Sequence, residues 1–144
     1  MHVQRTLIES FVADLASLGR IRLLLRIHGG YGDVACRGRQ LVVHDQWLVV
    51  RNRKCIVQFA LAGLASAEVV QPRIDETDAA TDKPCVWFYA PCGVACLGII
   101  PCARDGGAEA ATQSELLAQM RERWIGRIVF AESSQARTAN RTIH

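Results

Sequence analysis

Six cysteines and four histidines are the residues of this 144-residue chain whose chemistry could serve a function. Cys92, Cys96 and Cys102 follow one another closely, and such spacing invites a zinc or redox interpretation. The apolar runs around Cys92 predict a β-hairpin instead, with Cys96 and Phe88 on one face, Cys85 on the other and Cys92 at the tip. Because thiolates arranged in this way cannot converge on one metal ion, a thiol–metal site is only the third hypothesis. Because Cys92 is expected to be exposed at this tip, it is the one thiol that we expect to be reactive.

The fold is predicted to be organised around this hairpin, which spans residues 83–107. Its turn is Ala90-Pro91-Cys92-Gly93, in which the proline presets φ and the glycine takes the positive φ of a type I turn with a G1 bulge. The flanking runs, Val86 to Tyr89 and Val94 to Ile100, are apolar on both faces. One face therefore requires a cover that the helices do not provide.

Two helices flank a series of short strands. Each helix is predicted to begin at a capping box, Thr6 to Glu9 for the first and Thr112 to Glu115 for the second, and they end near Leu18 and Trp124. From Arg20 to His28 apolar residues recur at every second position, which is typical of a half-buried strand, and further short runs follow with tight turns. We expect an α+β fold in which both helices pack on one side of an antiparallel sheet. The run from Leu61 to Val70 fits either a short helix or a strand.

The overall composition is globular, with half of the residues hydrophobic and 22% charged. The length predicts one domain over residues 1–130, followed by a frayed tail at 131–144. A net charge of +3, with the Lys and Arg residues scattered along the sequence, does not predict a nucleic-acid partner. No signal peptide or apolar run of membrane-spanning length is present, so we expect a cytoplasmic protein with no membrane partner and with reduced thiols.

No catalytic pattern stands out in the sequence. There is no Ser/His/Asp order in a suitable context, no Gly-rich phosphate loop and no paired carboxylates on a helix. The acidic residues Asp75, Glu76 and Asp78 lie in a polar segment, residues 71–83, where charge is expected. We therefore do not expect an enzyme.

The segment CVWFYAPCGVACLGIIP, from Cys85 to Pro101, resembles the hairpin of the bacterial haem-utilisation family, the HemS/ChuX/HutX-like cytoplasmic haem carriers. Other motifs of the family are matched in order by Leu18-Gly19, His28-Gly29-Gly30, Asp33, Gly38, Ala103-Arg104-Asp105 and the helix from Gln113 to Trp124. The resemblance implies a single HemS/ChuX-like unit with haem as its ligand. Because larger members of the family contain two such units in tandem, it also implies a homodimer.

The resemblance directs attention to residues that could hold haem. His44 is the first candidate for the iron ligand, because imidazole ligates haem iron and the adjacent Asp45 could orient the ring. His28 is an alternative, and Tyr31 could serve as an axial ligand near it. A haem-side histidine of the family falls near Gln58. The side chains that could bind haem propionates as bidentate donors are Arg22, Arg26, Arg51 and Arg53.

The leading hypothesis is therefore a protein that binds or traffics haem in the cytoplasm. The alternative is a structural or protein-interaction domain with the same fold and no ligand. Trp87, Leu97 and Gly98 stand where the family has polar residues, and they predict a surface that is buried by a partner subunit or a ligand.

Overall fold

In a computed structural model of the chain, the residues described are 2–27, 30–70, 84–104 and 106–130. His28, the polar segment 71–83 and the predicted tail lie outside them. Within these ranges the chain forms two α-helices and nine β-strands: α1 (His2–Leu15), β1 (Arg20–Ile27), β2 (Gly30–Arg37), β3 (Leu41–His44), β4 (Trp47–Arg51), β5 (Ile56–Ala60), β6 (Ser66–Val70), β7 (Cys85–Tyr89), β8 (Ala95–Pro101), α2 (Ala108–Arg123) and β9 (Arg127–Val129).

The fold is α+β, as predicted, and the described strands pair only in the antiparallel sense. They form two sheets rather than the predicted one: a six-stranded sheet of order β2-β1-β8-β7-β6-β9 and a three-stranded sheet of order β3-β4-β5. A short 3₁₀ helix, Gly38–Gln40, separates β2 from β3. The amide of Gly38 donates to the carbonyl of Gly19 at 2.8 Å, which draws the chain away from the first sheet.

Alternate side chains of both sheets and one stripe of α1 share a single hydrophobic core. Four aromatic rings lie at its centre. Phe11 of α1 meets Phe88, Phe130 and Trp124 edge-on, with ring centroids 5.6, 5.8 and 5.5 Å apart. Such pairs add roughly 0.5–1.5 kcal/mol each to the burial of their apolar surface. This aromatic cluster holds the first helix against the six-stranded sheet and the chain that follows α2.

The two helices begin earlier than the capping-box patterns predicted. Helix α1 starts at His2, so Thr6 lies inside it. Helix α2 starts at Ala108, so Thr112 lies one turn inside it. It follows Gly106, whose positive φ of 79° turns the backbone before the helix begins. The Thr112 hydroxyl donates to the Ala108 carbonyl at 2.9 Å, a bond that threonine makes within helices as readily as at their ends. The first helix ends as predicted near Leu18, after a 3₁₀ turn that extends α1, and Gly19 follows with a φ of 76°.

Gln113 connects α2 to the six-stranded sheet. Its side chain is only 3% exposed. The amide nitrogen donates to the carbonyls of Leu18 and Arg20 at 2.7 and 2.6 Å, and the amide oxygen accepts from the backbone N–H of Ala103 at 3.2 Å. Gln113 therefore satisfies three backbone groups at the point where β1 begins and β8 has ended.

The hairpin turn is confirmed in detail. Gly93 has a φ of 91°, its amide donates to Ala90 O at 2.8 Å, and Ala90 N donates to Val94 O at 2.9 Å. The prediction for the faces of the hairpin was wrong by one residue. The register shifts next to Phe88, so Leu97 stands opposite Phe88 where Cys96 was expected. Cys96 is the extra residue of the bulge, and its thiol donates to Phe88 O.

The bulge also corrects the surface that was predicted at this hairpin. Leu97 is fully buried in the core, so it is not part of a partner-binding face. Gly98 is buried beneath the indole of its cross-strand neighbour Trp87. Of the three residues, Trp87 alone stays partly exposed, on the sheet face opposite the core. The ambiguous run from Leu61 to Val70 divides into a 3₁₀ turn, Leu61–Gly63, and strand β6.

Candidate functional site

The outward face of the three-stranded sheet carries polar and apolar residues in rows across the strands. His44 pairs with Trp47, Val49 pairs with Val42 on one side and Gln58 on the other, and Arg51 pairs with Ile56. Each strand is short and alternates with a period of two, so the intervening residues Leu41, Leu48 and Val50 are buried in the core. The same alternation that builds the core therefore places a histidine, an arginine and an indole on one open face.

A groove of about 340 Å³ runs across this face, lined by Gln40, Val42, His44, Val49, Arg51 and Gln58. Its floor is apolar and its ends are polar. Val42 is 51% exposed and the neighbouring Trp47 is 42% exposed. Exposed apolar surface rimmed by polar residues is a common property of ligand- and partner-binding sites. We refer to the residues lining this space as the β3–β5 groove.

His44 lies at one end of the β3–β5 groove. Its side chain is 75% exposed, and its Nε2 lies 3.4 Å from Oδ2 of Asp45. Asp45 adopts a φ of 53° in the two-residue turn between β3 and β4, a conformation that Asp tolerates better than most residues. The predicted neighbourhood of imidazole and carboxylate is therefore present, and a carboxylate beside one ring nitrogen leaves the other nitrogen available to a metal ion.

Arg51 lies at the opposite end, at the last position of β4. It is four positions along β4 from Trp47, the cross-strand partner of His44, which corresponds to about 13 Å along the strand. Gln58 occupies the row between them, opposite Val49. The groove thus offers an imidazole at one end, a guanidinium at the other and an amide in the middle.

Three other predicted residues, Arg22, Arg26 and Tyr31, lie on the six-stranded sheet. Arg26 and Tyr31 stand directly opposite each other on β1 and β2, on the face away from the core, and Tyr31 is 67% exposed. The structure therefore divides the predicted site between two sheets. Arg22 is paired with Asp33, and this hydrogen bond and charge raise the pKa of the Arg22 guanidinium. Arg53 is exposed in the β4–β5 turn.

Five of the six cysteines are buried or partly buried, and one is exposed. Burial raises the pKa of Cys36 to about 11, with the nearby Cys102 and Cys55 adding to the shift. Burial also raises the pKa of Cys85, Cys96 and Cys102, although Arg22 and Arg20 oppose it at Cys102. Cys92 is exposed at the hairpin tip, where it was predicted. Among the described residues, no group of three or more His, Cys, Asp or Glu side chains could hold a metal ion.

Comparison with known proteins adds the fold family. No protein-family model matches the sequence, and no curated protein matches it. Solved structures do match: the crystal structure of ChuX superposes with a TM-score of 0.57 at 11% identity, over 80% of this chain and 72% of that one. A protein from Agrobacterium tumefaciens superposes with a TM-score of 0.61 at 13% identity, over 80% of this chain and 65% of its own.

The chain therefore has a ChuX/HemS-like fold, which is the fold that the hairpin sequence predicted. The match covers most of the chain but less than three quarters of either solved protein. At such low identity it establishes the architecture alone. In the part of the chain that the structure describes, no helix is long and apolar enough to span a membrane.

His44 and Arg51 were predicted from the sequence as haem-binding candidates, whereas the residues between them in the groove were not. Val42, Trp47 and Val49 occupy alternate positions of β3 and β4 together with these two polar residues. That alternation was the signal that could have identified one outward face. The sequence alone could not identify this face, because the intervening positions of both strands are apolar as well. Which set of alternate residues points outward is fixed only by the pairing register of the strands.

Proposed function

We propose that the protein binds and traffics haem in the cytoplasm, and that the β3–β5 groove is its binding site. The observation that carries the proposal is the shared placement of His44 and Arg51 at the two ends of one exposed apolar groove. The resemblance of the hairpin sequence to haem carriers and the ChuX/HemS-like fold support the same conclusion.

The chemistry of the groove fits a flat apolar molecule that carries a metal ion and carboxylates. His44 would supply the imidazole ligand to iron, with Asp45 holding the ring orientation. Arg51 would pair with a propionate through its two-pronged guanidinium. Val42 and Val49 form an apolar floor and Trp47 offers an aromatic edge, as small-molecule sites of a few hundred Å³ commonly do.

Gln58 lies near the position where the resembled family has a haem-side histidine. The resemblance puts a haem-side histidine of the family near this position, and in the structure Gln58 lines the same groove as His44. A glutamine side chain does not replace imidazole as an iron ligand, so His44 becomes the ligand of choice in this chain.

A haem titration of the purified protein tests the proposal. We expect a shifted Soret band at micromolar haem, a changed band in His44→Ala and weaker binding in Arg51→Ala. Arg121→Ala on the exposed surface of α2 is the matched control and should bind as the wild type does. Gln58→His should tighten binding by adding a second imidazole to the groove. Absence of a Soret shift would overturn the proposal, and an unchanged spectrum in His44→Ala would remove His44 as the ligand.

We also propose a homodimer formed through the outward face of the β7–β8 hairpin. Trp87 on β7, Ile100 on β8 and Leu24 on β1 lie on this face, and all three are partly exposed. Their proximity supports an apolar patch on the sheet face that does not contribute to the core. Light scattering after size exclusion should give twice the chain mass for the wild type and the chain mass for Ile100→Glu. A monomeric wild type would contradict this proposal and leave haem binding unaffected.

A further inference from the structure

Arginines recur at alternate positions on the outward face of β1 and β2. Arg20 and Arg37 stand directly opposite each other, and Arg26 stands opposite Tyr31. All of these residues are exposed. Like charges directly opposite on neighbouring strands destabilise a sheet, so a bound anion would relieve the repulsion between Arg20 and Arg37.

The β4–β5 turn adds two more cations beside the same edge strand. The side-chain amide of Asn52 donates to the carbonyl of Ala35 on β2 at 3.0 Å. The side-chain oxygen of Asn52 accepts from the amides of Lys54 and Cys55, both at 2.8 Å. Asn52 therefore fixes the turn in shape and holds it against β2, with Arg53 and Lys54 exposed. We call the side chains of Arg20, Arg26, Arg37, Arg53 and Lys54 the basic surface.

The carboxylate of Glu109 lies beside Arg20, where its Oε1 accepts from the backbone N–H of Arg20 at 3.0 Å. Arg22, between Arg20 and Arg26 on β1, is paired with Asp33. Within the described residues, none of the five side chains of the basic surface forms an ion pair. The five cations of the basic surface are gathered on two neighbouring strands and one turn, whereas the formal net charge of the whole chain is only +3. Such segregation of charge attracts polyanions over a distance.

We propose that the basic surface binds single-stranded nucleic acid. Its cations are spread along two strands and a turn rather than converging in one pocket, which suits a chain of phosphates better than a single anion. Tyr31 lies among them, 67% exposed and directly opposite Arg26. An exposed aromatic ring beside arginines on an open sheet is the arrangement that stacks an unpaired base while the backbone is neutralised. This proposal uses a different sheet from the haem proposal and does not rest on it. It shares the outward face of the six-stranded sheet with the proposed dimer patch, but its cations lie on β1, β2 and the turn beside β2, whereas that patch centres on β8 and β7.

The tertiary structure creates this surface from residues that look scattered in the sequence. Arg20 and Arg37 are brought together by the register of β1 with β2, and the contact between Asn52 and Ala35 holds the turn that carries Arg53 against β2. Their separation along the chain is why the sequence did not predict a nucleic-acid partner.

Fluorescence anisotropy with a labelled oligo(dT) of about 15 nucleotides tests the proposal, since one single-strand-binding domain covers roughly 4–16 nucleotides. We expect binding that weakens with salt. A plot of the logarithm of the association constant against the logarithm of the salt concentration should have a slope of about −3.5 if all five cations contact phosphates. Arg37→Glu and Arg53→Glu should each weaken binding about tenfold and make the slope shallower by about 0.7 or more. Tyr31→Ala should weaken binding about fivefold, and Tyr31→Phe should restore it.

Arg121→Glu on α2 is the charge-matched control, and it should bind as the wild type does. Circular dichroism of each variant confirms that the fold is retained. No binding at low salt would overturn the proposal, and so would an equal loss in Arg121→Glu. Equal affinity for duplex DNA with no effect of Tyr31→Ala would overturn the single-strand assignment. Tighter binding of poly-glutamate than of oligo(dT), lost in the same variants, would assign the surface to an acidic protein partner instead.

Discussion

The backbone of Gly38 lies so close to the carbonyl oxygen of Leu15 that a side chain at Gly38 would collide with it. The first turn after β2 is thereby packed against the end of α1, and the amide of Gly38 is bonded to Gly19. This contact redirects the chain from the six-stranded sheet into the three-stranded sheet, and so it positions the β3–β5 groove.

Gly38→Ala should destabilise the protein by about 2 kcal/mol or more, because the obstructing atom belongs to the backbone and cannot rotate away. Urea unfolding at equilibrium measures this effect as a lower midpoint. Gly63→Ala is the matched control, since nothing lies within 4 Å of the position of its added methyl group. We expect its midpoint to be unchanged or slightly higher. Equal midpoints for both variants would show that the chain adjusts at Gly38.

Gln113→Leu should lower the free energy of unfolding by about 2–4 kcal/mol. The leucine would remove the bonds of Gln113 to the carbonyl of Leu18 and the amide of Ala103, and the carbonyl of Arg20 would keep only its bond from the amide of Cys102. Gln119→Leu, on the exposed side of the same helix, should change stability by less than about 0.5 kcal/mol. If the two variants were equally stable, the bonds of Gln113 would contribute nothing beyond packing.

Cys92 should be the first thiol of the described part of the chain to react with an aromatic disulfide reagent. It is exposed at the hairpin tip, and burial raises the pKa of Cys36, Cys85, Cys96 and Cys102, which lowers the fraction of each that is present as the reactive thiolate. The reaction followed by absorbance should lose its fastest phase in Cys92→Ser and keep it in Cys85→Ser. Retention of that phase in Cys92→Ser would contradict the prediction.

Stability should fall as the pH rises between about 9 and about 11. The pKa of Cys36 is raised from its ordinary 9.0 to about 11 in the folded chain, so the unfolded chain loses this proton first and alkali favours unfolding. The contribution of the buried neutral thiol is complete below about pH 9 and is lost as the pH rises through about 11. Urea midpoints across this range should fall less steeply in Cys36→Val than in the wild type. Cys92→Ser, which alters an exposed thiol, should follow the wild-type curve.

The sequence by itself determined the elements of the fold and their local geometry. The turn at Ala90 to Gly93 follows from proline and glycine chemistry, the ending of the first helix follows from Gly19, and the alternation in the strands follows from the need to bury one face. It placed the helix starts too late, because a threonine three residues before a glutamate occurs inside helices as well as at their ends.

Only the tertiary structure decided which side chains share a surface. A single extra residue in the bulge moved Leu97 into the core, and strand register put His44 and Arg51 on one face and Arg26 and Tyr31 on another sheet. Contacts such as Asn52 with Ala35 gathered arginines that are far apart in the chain. Local conformational preferences act over a few residues, whereas pairing between distant strands depends on the whole core, and a shift of one residue reverses every face.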